Sequence, residues 1–381
     1  MSKKEAYCQT QTVITEHYAG RLKLHKQTKD IYLDDSIFDI AKFRNEILEK
    51  HDILLENDQY IYELVYLEAE KNTFSPIEDY LTQNHDAFND LDYREVLKQV
   101  AEQALHIDPS SIEAKFVTKT LVAAVARIFE PGVKFDQALV LYGGQGYFKT
   151  SFFEVLAGDQ NFTSIHLSNF DKDERMICQS KWFIELGEVE QSIKRAQMGK
   201  LKQFLTERYD TFRKPYDRKP ITIPRSFILV GSTNKQEFLI DETGNRRFWV
   251  IDLKEKIDIE WVEQNRDSIW AAATAAYLEG EPIHLNEVEE EMSNRHNKQH
   301  EKDDPWASEI VAWVEKRGNQ PFTTTDVARE AIGKELKYLN NVDQSRISQT
   351  LEQLGLQKPT KTERVNKKPG KYWRVKEAVT A

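Results

Sequence analysis

Two cysteines in 381 residues, Cys8 and Cys178, are too few and too far apart for a disulfide framework or a cysteine-based zinc site. No apolar run is long enough for a membrane-spanning helix, which needs roughly 18 residues or more. The opening stretch, MSKKEAYCQTQT, lacks the apolar core of a signal peptide, so a reducing cytoplasm is the expected compartment and no membrane partner is expected. Basic residues are also in short supply. Against 63 Asp and Glu there are 53 Lys and Arg, a net charge of −10. A chain that wraps nucleic acid over its whole surface is excluded, and any such contact must be local. Repeats and low-complexity segments are missing too. With 40% apolar and 30% charged residues, the chain has the composition of a globular protein of two or three domains.

The organisation is read from periodicity. Residues 1–85 predict a small α/β region: short β-rich runs (RLKLH, DIYL), then two helical patterns between 41 and 70. Two further helices are expected over 93–107 and 112–130. From 136 the pattern alternates. QALVLYG, KWFIELGEV, SFILVGSTN and RRFWVIDL read as apolar strands with helices between them, the mark of a mostly parallel sheet. This second domain is placed at 86–285. Residues 286–304 are polar and charged and read as a helix or linker. Three helices and a terminal hairpin over 305–381 predict a winged helix.

The chemistry concentrates after the first strand of that sheet. In GGQGYFKTS, residues 143–151, glycines precede a Lys-Thr pair and an apolar helix. A phosphate chain needs converging backbone N–H groups, a helix N-terminus and a cation near its terminal phosphates. Gly143, Gly144, Gln145 and Gly146 would supply the wrap, Lys149 the cation, Thr150 a Mg²⁺-holding hydroxyl and Ser151 a further contact. The spacing is that of a phosphate-binding loop (P-loop), with Phe148 where the last glycine usually stands. Glu185 and Glu188, in ELGE at the end of the next predicted strand, are placed to bind the metal and activate water. Taken alone they read first as ordinary strand-end acids; their place after a phosphate loop reverses that reading. Asn234 ends SFILVGSTN and would orient the attacking water. Arg246 and Arg247 are candidates for an arginine finger; one of the two reads as a surface salt bridge. The ligands implied are ATP and Mg²⁺, the latter on Thr150 and Glu185.

Two basic segments stand out against the acidic whole. One is DTFRKPYDRKPITIPR, residues 210–225, a proline-bracketed hairpin or a solvated loop. The other, 358–376, holds eight basic residues and one acid, Glu363, a local charge of +7. After a recognition-like helix it reads as a wing for DNA backbone, or as a protein-docking tail. His296 and His300 have metal-like spacing, but the sequence shows no third ligand and no protease glutamate.

The series GGQGYFKT, ELGEVE, LKQFLTERYDTFRKPYDR, PRSFILVGSTN and DETGNRRFW, in this order, resembles the virulence-associated E family of phage- and island-encoded proteins, over roughly residues 60–310. The resemblance implies a superfamily 3 helicase core of the AAA+ class working as a homo-hexamer in a bacterial host. It also implies that Lys214, Arg218 and Lys219 sit on a pore hairpin gripping single-stranded DNA, and that Arg246 or Arg247 reaches into a neighbouring subunit's site. Lys361, Lys367, Lys368 and Lys371 are assigned to duplex DNA. Priming would come from a separate primase. The expected activity is an ATP-dependent replicative helicase of a phage or mobile element. The alternatives are an ATP-assembled DNA-binding initiator or regulator with little unwinding, and a P-loop enzyme acting on a small molecule or protein.

Overall fold

The computed structural model describes residues 3–54, 57–166, 170–189, 195–213, 220–239, 245–301, 305–365 and 368–375. The chain divides into two compact units, Met1–Glu301 and Lys302–Ala381.

The first unit opens with a small α/β layer. Strands β1 (Leu22–His25), β2 (Ile31–Leu33), β3 (Ser36–Ile37) and β4 (Thr73–Phe74) form a sheet of order β3-β2-β1-β4. The helices Lys3–His17, Ile40–His51 and Asp58–Ala69 share one apolar core with it, built on Ile14, Tyr18, Leu24, Phe43, Ile47 and Leu64. Asp39 starts the second of these helices by accepting from the amides of Ala41 and Lys42.

The larger sheet holds, among the described residues, five parallel strands: β5 (Ala138–Tyr142), β6 (Phe162–Ile165), β7 (Phe183–Leu186), β10 (Ile228–Thr233) and β11 (Phe248–Asp252), in the order β11-β5-β10-β7-β6. Side chains alternate across a strand, so each strand feeds two cores. Leu139, Leu141, Phe183, Val230, Trp249 and Ile251 join the core built by the helices Ile112–Phe129, Lys149–Ala157 and Ile259–Leu278. Ala138, Val140, Ile184, Leu186, Leu229 and Val250 join the opposite core, with Leu201, Phe204 and Leu205 of the helix Arg195–Thr206. Cover on both faces is why these strands read as unbroken apolar runs. Cys178 lies in that second core, where burial pushes its thiol up to about 12 and keeps it protonated.

Between β7 and β10 the chain makes the antiparallel pair β8 (Tyr209–Phe212) and β9 (Ile221–Pro224). A buried charge cluster fixes its base. Arg225, 2% exposed, gives Asp210 a bidentate contact at 2.8 and 2.9 Å and also binds Glu207 at 2.9 Å. Arg175 joins both carboxylates, and Gln179 Nε2 adds 2.9 Å to Asp210. Two guanidinium groups facing two carboxylates satisfy a site where an unpaired charge would be costly.

Residues 286–304, the polar segment, do not run free where they are described. Asn286 caps a helix over Glu287–Asn297, and a single turn follows over Lys298–His300. Ser293, Asn297 and His300 are buried. Asn297 Nδ2 donates to the carbonyls of Asn245 and Phe248 at 3.0 and 2.9 Å, so polar side chains dock this helix beside β11.

The second unit packs the helices Pro305–Arg317, Thr324–Glu330 and Asn341–Gln353 around Ile310, Phe322, Val327, Ile347, Leu351 and Trp373. Strands β12 (Phe322–Thr323), β13 (Leu356–Gln357) and β16 (Tyr372–Val375) form an antiparallel sheet of order β12-β16-β13, and β14 (Glu363–Val365) pairs with β15 (Lys368–Gly370) as a hairpin. No helix among the described residues is long and apolar enough to cross a membrane.

Candidate functional site

The glycine loop leaves the carboxyl end of β5, a strand flanked on both sides by β10 and β11. In open parallel sheets ligands bind beyond the carboxyl ends of the strands. The loop wraps tightly. A Cβ on Gly144 would stand 2.8 Å from the Tyr147 ring, and Gly146 has φ +77°. Phe148 follows with φ 60° and ψ 28°, at the N-cap of the helix Lys149–Ala157, its side chain 48% exposed. This explains the departure from the usual pattern. The position demands left-handed backbone, which glycine adopts freely and other residues adopt at a cost of about 1–2 kcal/mol. Phe148 takes the glycine conformation and points its ring outward, so the loop keeps its shape. Replacing Phe148 with Gly is therefore expected to leave stability unchanged or slightly raised. Phe148→Val, β-branched and poorer still in this region, should lose about 1–2 kcal/mol. Urea unfolding midpoints measure both, and a Val variant as stable as the Gly variant contradicts the argument.

Lys149 is buried and its ammonium is held in place. It donates to Gly143 O at 2.9 Å, Gly144 O at 2.8 Å and Asn234 Oδ1 at 2.6 Å. At the next residue, Thr150 Oγ1 donates to Glu185 Oε1 at 2.9 Å. Glu185 lies within β7 and is only 1% exposed. A hydroxyl and a buried carboxylate in contact are a hard-oxygen donor pair, the chemistry that Mg²⁺ prefers. Glu188 sits beyond the strand in another left-handed position, φ 48°. It lines, with Gln145, Gly146, Ser151, Ser232 and Asn234, a cleft of about 360 Å³ above the loop. Strained backbone of this kind gathers where side chains must be aimed. Lys149, Thr150, Ser151, Glu185, Glu188 and Asn234 thus come together from three separate stretches. Ser232 and Tyr147 also line the cleft; they lie inside the two motifs, but their residue types carry no phosphate-site signal.

Arg246 and Arg247 are not part of this cleft. They belong to the turn Asn245–Arg247 that leads into β11. Because β11 runs parallel to β5, with Phe248 level with Ala138 and Asp252 level with Tyr142, the arginines lie at the amino end of the sheet and the loop at its carboxyl end. A five-residue strand separates the two ends, roughly 16 Å at the usual rise. Both arginines line a different cleft, of about 320 Å³, with Lys134, Asp136, His284 and Glu290. The buried Arg247 Nε has no hydrogen-bond partner among the described residues.

The pair β8–β9 is the hairpin anticipated over 210–225, and it too leaves from the amino end, since β9 runs through Arg225 into the start of β10. Its tip, with Lys214, Arg218 and Lys219, lies outside the described residues. In the second unit Lys361, Arg364 and Lys371 are exposed and have no ion-pair partner among the described residues, whereas Lys358 pairs with Glu352 and Arg374 with Glu363. Lys368 lies on β15 and Lys367 outside the described residues.

The sequence pattern of the virulence-associated protein E-like domain matches residues 81–302. No curated protein matches the chain. Among solved structures, an A-form apo structure of the NrS-1 C-terminal region covers 96% of this chain and 98% of its own, at 12% identity and a TM-score of 0.50. A further apo structure of that region covers 98% and 99%, at 14% identity and a TM-score of 0.49. At such identities the likeness is one of fold. The domain match spans more than half of the residues and takes in the glycine loop, the buried acid, the asparagine and the arginine pair, and on that ground the chain belongs to the virulence-associated protein E-like family.

Proposed function

We propose that the chain is a P-loop ATPase of the AAA+ class that acts on DNA, a replicative helicase of superfamily 3 type encoded by a phage or mobile element. The observation that carries this reading is the convergence of Lys149, Asn234, Thr150 and Glu185 at one end of the sheet. The amides of residues 143–150 and the N-terminus of the following helix cradle the phosphates of ATP. Lys149 exchanges one of its contacts to Gly143, Gly144 or Asn234 for a phosphate oxygen. Thr150 and Glu185 would hold Mg²⁺, which supplies charge neutralisation at the phosphates. Asn234 orients the attacking water, and the Glu188 carboxylate accepts its proton.

The arginines at the opposite edge support a shared site. Arg246 or Arg247 of one subunit would enter the cleft of the next, in the head-to-tail contact that closes a ring such as a hexamer. The β8–β9 hairpin would grip a single strand in the pore. The second unit is read as a winged helix, with Asn341–Gln353 as recognition helix and the β14–β15 hairpin as the wing holding duplex backbone. The test is ATP hydrolysis by the full chain with and without single-stranded DNA, followed by strand displacement on a forked duplex. Stimulated hydrolysis with displacement is the expected result. Stimulation without displacement makes the chain an ATP-assembled initiator instead, and the lack of any DNA effect removes the DNA-translocating reading.

A further inference from the structure

His296 and His300 lack a third ligand in the sequence pattern, and the fold supplies it. β11 ends at Asp252, and the helix Glu287–Asn297 with its following turn lays both imidazoles against that strand end. Ligand atoms of Asp252, His296 and His300 all lie within 4.8 Å of one another. Asp252 and His300 are buried and His296 is partly buried.

The hydrogen bonds decide which nitrogen of each ring faces the cluster. His296 Nε2 is 2.9 Å from the carbonyl of Val250, and His300 Nδ1 is 3.0 Å from the carbonyl of Gln236. A carbonyl only accepts, so those two nitrogens carry the protons. That leaves His300 Nε2 facing Asp252 Oδ1 and His296 Nδ1 facing the Gln299 amide that also binds Asp252. Backbone carbonyls that hold the far N–H are how proteins fix the tautomer and aim of a metal-binding imidazole. Glu113 backs the arrangement, accepting from the Asp252 amide at 2.7 Å and standing 3.9 Å from His296 Nε2.

One contact is left unresolved among the described residues. His300 Nε2 lies 3.0 Å from Asp252 Oδ1, yet both atoms are buried without a hydrogen bond of proper geometry. Two lone-pair atoms that close repel unless a cation is shared between them, either a second proton on the ring or a metal ion. On the solvent side the exposed Gln299 amide reaches Asp252 Oδ2 at 2.9 Å and His296 Nδ1 at 3.5 Å, a cover that can swing away.

We propose that Asp252, His296 Nδ1 and His300 Nε2 form a binding site for a divalent transition-metal ion of the zinc class, with the position under Gln299 open to a fourth ligand. Two imidazoles and one carboxylate suit zinc and its neighbours rather than magnesium or calcium. The ion clasps the helix Glu287–Asn297 to the end of β11, next to Tyr142 and the start of the glycine loop.

The test uses the full chain. Metal content is measured after purification without chelator, and the metal-free protein is then titrated with Co²⁺. One equivalent per chain is expected, with the visible d–d bands of tetrahedral cobalt. His296→Ala, at the partly buried ligand, should fold and lose affinity by about 100-fold or more. Gln299→Ala, which removes only the cover, should bind as tightly as the parent or more so. Zinc should raise the thermal midpoint of the parent and of Gln299→Ala but not of His296→Ala. If the parent takes up no cobalt at stoichiometric concentration, or if His296→Ala keeps the same spectrum and affinity, the proposal is overturned and the shared cation is a proton.

Discussion

Lys149→Ala is expected to lower ATP turnover by at least about 10²–10³-fold, the scale of removing a preorganised electrostatic group from a phosphoryl-transfer site. Lys149 is the only cationic side chain among the described residues lining the cleft, so no neighbour substitutes for it. Its hydrogen bonds to Gly143, Gly144 and Asn234 already hold the ammonium over the loop, so on the proposed reading it needs to exchange a contact and not to move. The variant also strips a donor from two loop carbonyls and from Asn234. Circular dichroism and binding of a fluorescent ATP analogue are therefore measured beside turnover. A folded Lys149→Ala protein that hydrolyses ATP at the parental rate would falsify the assignment of the cleft.

The second large effect concerns Arg246 and Arg247. Replacing the one that serves as the finger should stop hydrolysis, again by about 10³-fold or more, with nucleotide binding largely retained. The geometry makes the experiment decisive, because the arginines cannot reach the loop of their own chain across the length of β11. Mixing the arginine variant with Lys149→Ala should restore activity. In a random equal mixture about a quarter of head-to-tail interfaces pair an intact loop with an intact arginine. Substituting each arginine in turn identifies the finger, and the other should behave as a surface residue. No recovery in mixtures whose subunits demonstrably exchange means that the site is complete within one chain.

Much of the central sheet is legible without coordinates, for a physical reason. β5, β7, β10 and β11 are covered on both faces, so their side chains are apolar at nearly every position and announce themselves as runs. β6, with the sequence FTSI, lies at the edge with a half-polar burial pattern and carries no such signal. The phosphate-loop candidates were readable because glycine, lysine and threonine at fixed spacing answer a geometric demand. The role of Phe148 was not, since a left-handed backbone cannot be read from a ring side chain. The helix over Glu287–Asn297 and the turn after it defeat hydropathy altogether: they dock through His296, Asn297 and His300, whose polar side chains satisfy backbone carbonyls rather than water. Asp252 is distant from the two histidines in sequence, and only the end of β11 brings the three together.

The path of β10 has a mechanical consequence. The strand begins shortly after Arg225, whose guanidinium is bolted to Asp210 at the hairpin base, and its last residue, Thr233, leads into Asn234, which touches Lys149 in the cleft. Both edges of β10 are bonded, to β5 and to β7, so the strand resists bending and shear and behaves as a push-rod. Under the proposed function, a displacement of Asn234 as the cleft changes its contents would be delivered along the rod to the hairpin mount at the far side of the sheet. A mount bonded as closely as Arg225 to Asp210 and Glu207 would pass that displacement on as a stroke instead of dissipating it in a loose joint.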